Sequence, residues 1–171
     1  MQKATDTTGE SQTLLSRRSF AALMLATTSL AIGGPVIAQA APSSVMQADD
    51  AHAQALAGDI FLVDIRTPEE WAETGIGEGA IAIDMRAEDF VAKLVALRNS
   101  APDKPLALIC RTGNRTGHVI EYLASRGFPG LVDVAEGMAG GPNGTGWLNR
   151  SLPTYAGTMD LIQEKLLAIM P

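Results

Sequence analysis

Continuous apolar runs alternate with segments of helical periodicity along most of this chain. Residues 60–65, 80–83, 106–110 and 131–134 are short, nearly unbroken apolar stretches, the pattern of strands covered on both faces. Between them, Phe90, Val91, Leu94 and Leu97 recur at helical spacing within 87–98, and Val119, Ile120 and Leu123 share one face of 115–126. Pro68-Glu69-Glu70 starts a helix, with proline in the first turn and acids where the dipole favours them. Arg126-Gly127 is a C-terminal cap signal. Met159, Ile162, Leu166 and Ile169 mark a last amphipathic helix. A short helix is expected over 51–57, and 41–50, small and polar, reads as a linker. Strands alternating with helices predict an α/β domain over 51–171, with a central, mostly parallel sheet flanked by helices. Ligands in such folds sit beyond the carboxyl ends of the strands.

The first 40 residues read as a leader. Arg17-Arg18 precede an apolar stretch from Phe20 to Ile32, and Ala38-Gln39-Ala40 forms a small-x-small cleavage site. That run is too short to span a bilayer, which needs about 20 residues. Ser16-Arg17-Arg18-Ser19-Phe20 resembles a twin-arginine signal, although Ala21-Ala22 follow where Leu-Lys is usual; a Sec signal is the alternative. Either route predicts a bacterial periplasmic protein with no stable membrane anchor after cleavage. Removing 40 residues from 171 leaves 131, the size of one domain with one core.

Charge narrows the partners. The whole chain carries 13 Lys+Arg against 19 Asp+Glu. Such an acidic balance speaks against nucleic acid and acidic lipid. Two arginines nevertheless flank the chain's one cysteine, in Cys110-Arg111-Thr112-Gly113-Asn114-Arg115-Thr116. A lone cysteine forms no internal disulfide, and the absence of Cys-x-x-Cys leaves no redox couple or thiolate metal site. No cofactor and no metal are called for.

Cys110 ends an apolar strand and precedes a helix. Free N–H groups and the positive helix end collect there, so an anion is favoured and a thiol ionises more readily than in a free side chain. An inert core cysteine would not require Arg-Thr-Gly-Asn-Arg-Thr directly after it. His118, on the polar surface of the helix, is not expected to reach the sulfur. His52 has no suggested partner. Trp71 and Trp147 are expected to pack, with Trp147 also a candidate for the pocket mouth.

Cys110-x-x-x-x-Arg115 followed by Thr116 resembles the active-site loop of the rhodanese family. Asp64-Ile65-Arg66 and Pro68-Glu69-Glu70-Trp71 resemble that family's Asp-x-Arg and Pro-Glu-Glu-aromatic segment. Gly75 to Ile83 resembles the next stretch, with Ile76 in place of the usual histidine. Gly137 to Gly141, Gly146-Trp147 and Leu152-Pro153 resemble the closing segment. These matches run in family order from about 55 to 155. They imply the three-layer rhodanese-like fold and a sulfurtransferase that carries sulfane sulfur as a Cys110 persulfide. The implied partners are a small anionic donor such as thiosulfate and a thiol or cyanide-like acceptor. Arg111, Thr112, Gly113, Asn114, Arg115 and Thr116 are the expected substrate-binding residues, although Arg115 is also placed to turn inward and brace the loop. Asp64 and Arg66 are supporting candidates, expected chiefly to hold the first loop in place.

Two rivals stand beside that reading. A cysteine phosphatase shares the fold, but its loop, Cys-x-x-x-x-x-Arg, is one residue longer and rings a tetrahedral oxyanion. A non-enzymatic sulfide carrier or interaction module would use the same loop without turnover.

Overall fold

The computed structural model describes residues 44–128 and 130–170. The leader reading and the start of the expected linker lie outside these residues. Five parallel strands form the central sheet, in the spatial order β1-β6-β5-β2-β4. They are β1 (Ser44–Val45), β2 (Phe61–Asp64), β4 (Ala80–Ala82), β5 (Leu106–Ile109) and β6 (Leu131–Asp133). A separate two-stranded antiparallel ribbon pairs β3 (Ile76–Gly77) with β7 (Thr154–Tyr155). The helices are α1 (Ala48–Ala57), α2 (Pro68–Thr74), α3 (Phe90–Ser100), α4 (Asn114–Ala124) and α5 (Met159–Ile169).

Each strand alternates its side chains between two cores. One face of the sheet carries Val63, Ile65, Ile81, Leu106, Leu108 and Cys110, packed against Phe90, Leu94 and Leu97 of α3 and Ile120 and Leu123 of α4. The other carries Leu62, Ala80, Ala82, Ala107, Ile109 and Val132, packed against α1, Trp71 of α2 and Ile162 of α5. Burial on both faces is why these runs are apolar throughout. Each large side chain removed from water contributes about 1.5–3 kcal/mol.

Local chemistry sets the helix ends. Thr67 caps α2: its hydroxyl accepts from the Glu70 N–H, and the Glu70 carboxylate accepts from the Thr67 N–H at 3.1 Å. Beyond α4, Gly127 takes φ +76° while Phe128 N–H donates to the Leu123 carbonyl, the glycine-terminated cap expected at Arg126-Gly127. α3 begins three residues later than its periodicity suggests, because a turn at Asp84–Ala87 comes first.

The linker expected over 41–50 is corrected where it is described. Ser44–Val45 is an edge strand on β6, and α1 starts at Ala48. Its sequence is small and polar, so it carries almost no amphipathic signal. Ala48 and Ala51 are nonetheless fully buried, since alanine lets a helix approach a sheet closely. Among the described residues, no helix is long and apolar enough to cross a membrane.

Candidate active site

β5 delivers Cys110 to the carboxyl edge of the sheet, and α4 starts four residues later. Cys110 is fully buried. The Gly113 N–H donates to its Sγ at 3.2 Å, and the Thr116 Oγ1 lies 3.8 Å from Sγ while donating to the Gly113 carbonyl at 2.8 Å. The loop therefore curls back on its own sulfur. Gly113 is what allows this: φ is +87°, and any side chain there would run into the Ala135 carbonyl. From outside, the Met138 and Ala139 N–H groups donate to the Cys110 and Arg111 carbonyls, each at 2.8 Å. The loop's backbone is thus clamped from both sides.

The two flanking arginines have different fates. Both terminal nitrogens of Arg115 donate to Glu70, at 2.6 and 2.8 Å, as a bidentate ion pair. Hydrogen bonding from Arg115, with help from the Thr67 N–H, holds the Glu70 carboxyl down at about 2, against desolvation. Arg115 is raised in return, first by its hydrogen bonds to Glu70. Of the two places expected for Arg115, the structure shows the inward one, in which it braces the loop against α2. Arg111 is exposed, and beside it lies a small cavity of about 70 Å³ that Arg66, Glu70, Thr74, Met138 and Leu148 also line.

Asp64 and Arg66 are a buried structural pair. Nε and one terminal nitrogen of Arg66 donate to the Asp64 carboxylate at 2.7–3.1 Å. The remaining donors go to the Glu70 and Gly75 carbonyls and the Thr74 hydroxyl. This knot fixes the turn around α2, and hence the position of Glu70. Asp64 ends β2 directly beside Ile109 of β5, so knot and cysteine share one sheet edge.

Of the other expected loop residues, Thr116 is buried, Thr112 is half-buried beside Gly141, and Asn114 is exposed at the first turn of α4. His118 Nδ1 lies 2.7 Å from the Asn114 carbonyl, on the helix surface. Trp147 does not reach a pocket mouth. It is fully buried, hydrogen-bonded through Nε1 to the Pro153 carbonyl and packed edge-on to His52. Leu148 takes the place by the cavity.

Two acidic residues matter here that sequence reasoning did not single out for the site. Glu70 was legible as a helix-start acid and as part of the Pro-Glu-Glu-aromatic match, with no partner suggested. Glu136 is fully buried, accepting from the Ala48 and Gly146 N–H groups at 2.6 and 2.7 Å and from Arg150 Nε. Burial works against its ionisation, but hydrogen bonds from Ala48, Gly146 and Arg150 prevail and its carboxyl lies below the usual value.

The putative sulfurtransferase YtwF of Bacillus subtilis is 36% identical over 80 residues, covering 47% of this chain and 71% of its own. A sulfurtransferase of Allochromatium vinosum is 29% identical over 100 residues, covering 57% and 80%. In structure, the Alr3790 protein of Anabaena superposes with a TM-score of 0.55 at 16% identity, covering 73% of this chain and 91% of that one, and shows a shared fold. The profile of the rhodanese-like domain matches residues 47–141, more than half the chain and the whole of the cysteine loop. With a parallel α/β sheet that ends in a glycine-turned cysteine loop, this chain belongs to the rhodanese-like domain family, among relatives named as sulfurtransferases.

Proposed function

We propose that the protein transfers sulfane sulfur from a small anionic donor such as thiosulfate to a nucleophilic acceptor, through a persulfide on Cys110. In the first step the Cys110 thiolate attacks the donor's outer sulfur. A Cys–S–S bond forms, the donor's S–S bond breaks, and sulfite leaves with the electron pair. In the second step cyanide or a thiolate attacks the outer sulfur and Cys110 departs as thiolate. The observation that carries this reading is the Gly113 N–H aimed at Sγ, at the start of α4. That amide and the positive helix end are suited to negative charge on sulfur. Arg111, exposed beside the loop, is the group for the donor's anionic end.

The Cys110 to Arg115 spacing favours this over phosphatase chemistry. The loop between Cys110 and Arg115 is one residue shorter than the phosphatase pattern, so its ring is smaller than one built around a tetrahedral oxyanion. The test is mass spectrometry of the intact protein. Thiosulfate adds one sulfur to Cys110, cyanide removes it, and Cys110→Ser takes up none. Sulfur transfer by the serine variant would overturn the mechanism.

We further propose periplasmic residence by twin-arginine export. Changing Arg17 and Arg18 to lysine keeps the charge and removes the guanidinium pair, so precursor accumulates in the cytoplasm. Normal maturation of that variant would overturn the twin-arginine route.

A further inference from the structure

The cavity of about 70 Å³ beside the cysteine loop carries both signs of charge. Arg66, Glu70, Glu73 and Arg111 all line it. Two of these are spent inside the fold. All five N–H donors of Arg66 are taken, by the Asp64 carboxylate, the Glu70 and Gly75 carbonyls and the Thr74 hydroxyl. Both carboxylate oxygens of Glu70 are held by Arg115. Arg111 and Glu73 are exposed, and among the described residues their side chains make no hydrogen bond or ion pair, with each other or with any neighbour. Glu73 stands in the last turn of α2, where the helix end disfavours a negative charge. Neither the helix nor the fold gains from its carboxylate. Met138, Ala139 and Leu148 supply the apolar part of the wall. That wall abuts the reactive loop, since the Met138 and Ala139 N–H groups donate to the Cys110 and Arg111 carbonyls. At about 10–15 Å³ per water, the space holds about five to seven non-hydrogen atoms.

A doubly negative donor satisfies Arg111 and is repelled by Glu73, whereas a zwitterion satisfies both. We propose that this cavity selects the sulfur acceptor, and that the acceptor is a small α-amino-acid thiol with its carboxylate on Arg111 and its ammonium on Glu73. Glu73 is then the specificity-determining residue. Cysteine is of the size the space holds, and a tripeptide thiol is too large to enter whole. The two half-reactions use Arg111 in turn. Sulfite leaves at the end of the first and vacates the guanidinium for the acceptor's carboxylate. The acceptor's thiolate attacks the outer sulfur of the Cys110 persulfide. A new S–S bond forms on the acceptor, the bond from that sulfur to Cys110 breaks, and Cys110 departs as thiolate. The product is the hydropersulfide of the acceptor. This inference rests on the sulfurtransferase reading of Cys110.

The test is single-turnover chemistry on protein loaded with thiosulfate and then desalted. The acceptors are L-cysteine, 3-mercaptopropionate, which lacks the ammonium, and cysteamine, which lacks the carboxylate. Loss of the Cys110 sulfur is timed by mass spectrometry at subsaturating acceptor. The three thiols differ in intrinsic reactivity, so the quantity read for each is the ratio of variant to wild type. Glu73→Gln slows L-cysteine and cysteamine by about three- to fivefold, the range of an exposed ion pair, and does not slow 3-mercaptopropionate. Arg111→Gln, loaded at raised thiosulfate, slows L-cysteine and 3-mercaptopropionate and affects cysteamine least. Because Glu73 makes no bond in the fold, Glu73→Gln melts at the wild-type temperature. Equal ratios for the three thiols in Glu73→Gln, slowed or unchanged, overturn the proposal and leave the sulfurtransferase reading intact. A wild type that takes up no sulfur from thiosulfate overturns that reading and this proposal with it.

Discussion

Replacing Glu70 by glutamine isolates the brace behind the cysteine loop. Glutamine keeps an oxygen for the Thr67 N–H, so the cap of α2 survives. It loses the charge that Arg115 grips through bonds of 2.6 and 2.8 Å. Holding the Glu70 carboxyl near 2 instead of 4.5 corresponds to roughly 3 kcal/mol if nothing screened the pair. The two side chains are 18% and 31% exposed, so solvent screening reduces this to about 1–2 kcal/mol. In a domain of this size the melting temperature falls by about 3–8 °C. The pH dependence supplies the sharper check. Glu70 ionises more easily in the folded than in the unfolded chain, so its contribution is complete above about pH 4.5 and disappears as pH falls toward 2. Urea denaturation of both proteins at a series of pH values should show their stability difference shrinking over that window. A difference that persists unchanged at pH 2, or none at neutral pH, would refute the claim that charge is what Glu70 supplies.

Three further outcomes are expected. Arg111→Gln raises KM for thiosulfate several-fold, with a smaller effect on kcat; steady-state kinetics with an unchanged KM would remove Arg111 from donor binding. Gly113→Ala, which forces a side chain into the Ala135 carbonyl at a positive φ, destabilises the fold by about 2–4 kcal/mol in denaturant titration and suppresses persulfide formation. A glycine inserted between Asn114 and Arg115 lengthens the loop to phosphatase size. Thiosulfate turnover then falls and phosphate binding improves, as calorimetry and sulfite release would report.

The sequence made β2, β4, β5 and β6 legible because they are covered on both faces and so run almost wholly apolar, broken only by Asp64 and Asp133. Leu106–Ile109 is buried at every position and could be read directly. The helix expected over 51–57 was read without its first turn at Ala48, and β1 left no trace. Alanine packs without hydrophobic bulk, and a two-residue strand has no period to detect. β3 and β7 lie almost 80 residues apart and pair through only two residues each, below any local signal. The cysteine loop was legible because its chemistry is contiguous. Its support was not. Arg115 meets Glu70 across 45 residues, and an arginine seen in one dimension does not disclose whether it faces substrate or carboxylate. Trp147 packs as expected, and only its candidacy for the pocket mouth fails, since the loop before it looks exposed while the indole turns inward.

Glu136 has a consequence for the order in which the chain closes. Its carboxylate joins the Ala48 N–H, 88 residues upstream, to Gly146 and Arg150 downstream, and Arg150 reaches Gln47 across 103 residues. During synthesis the bonds to Gly146 and Arg150 wait for those residues to emerge, whereas the Ala48 bond needs the chain only through Glu136. Until Glu136 has emerged, α1 has no carboxylate to receive its first N–H. Contacts of such long sequence separation close slowly, because the intervening loop must be ordered first. Chain ends thus meet last, and a nascent or unfolded molecule stays open along that seam. A fragment trimmed to the matched span of 47–141 would keep Glu136 while losing Gly146 and Arg150, leaving a buried carboxylate with one of its three donors, the Ala48 N–H. The minimal folding unit therefore extends past the matched span, through Arg150 at the least.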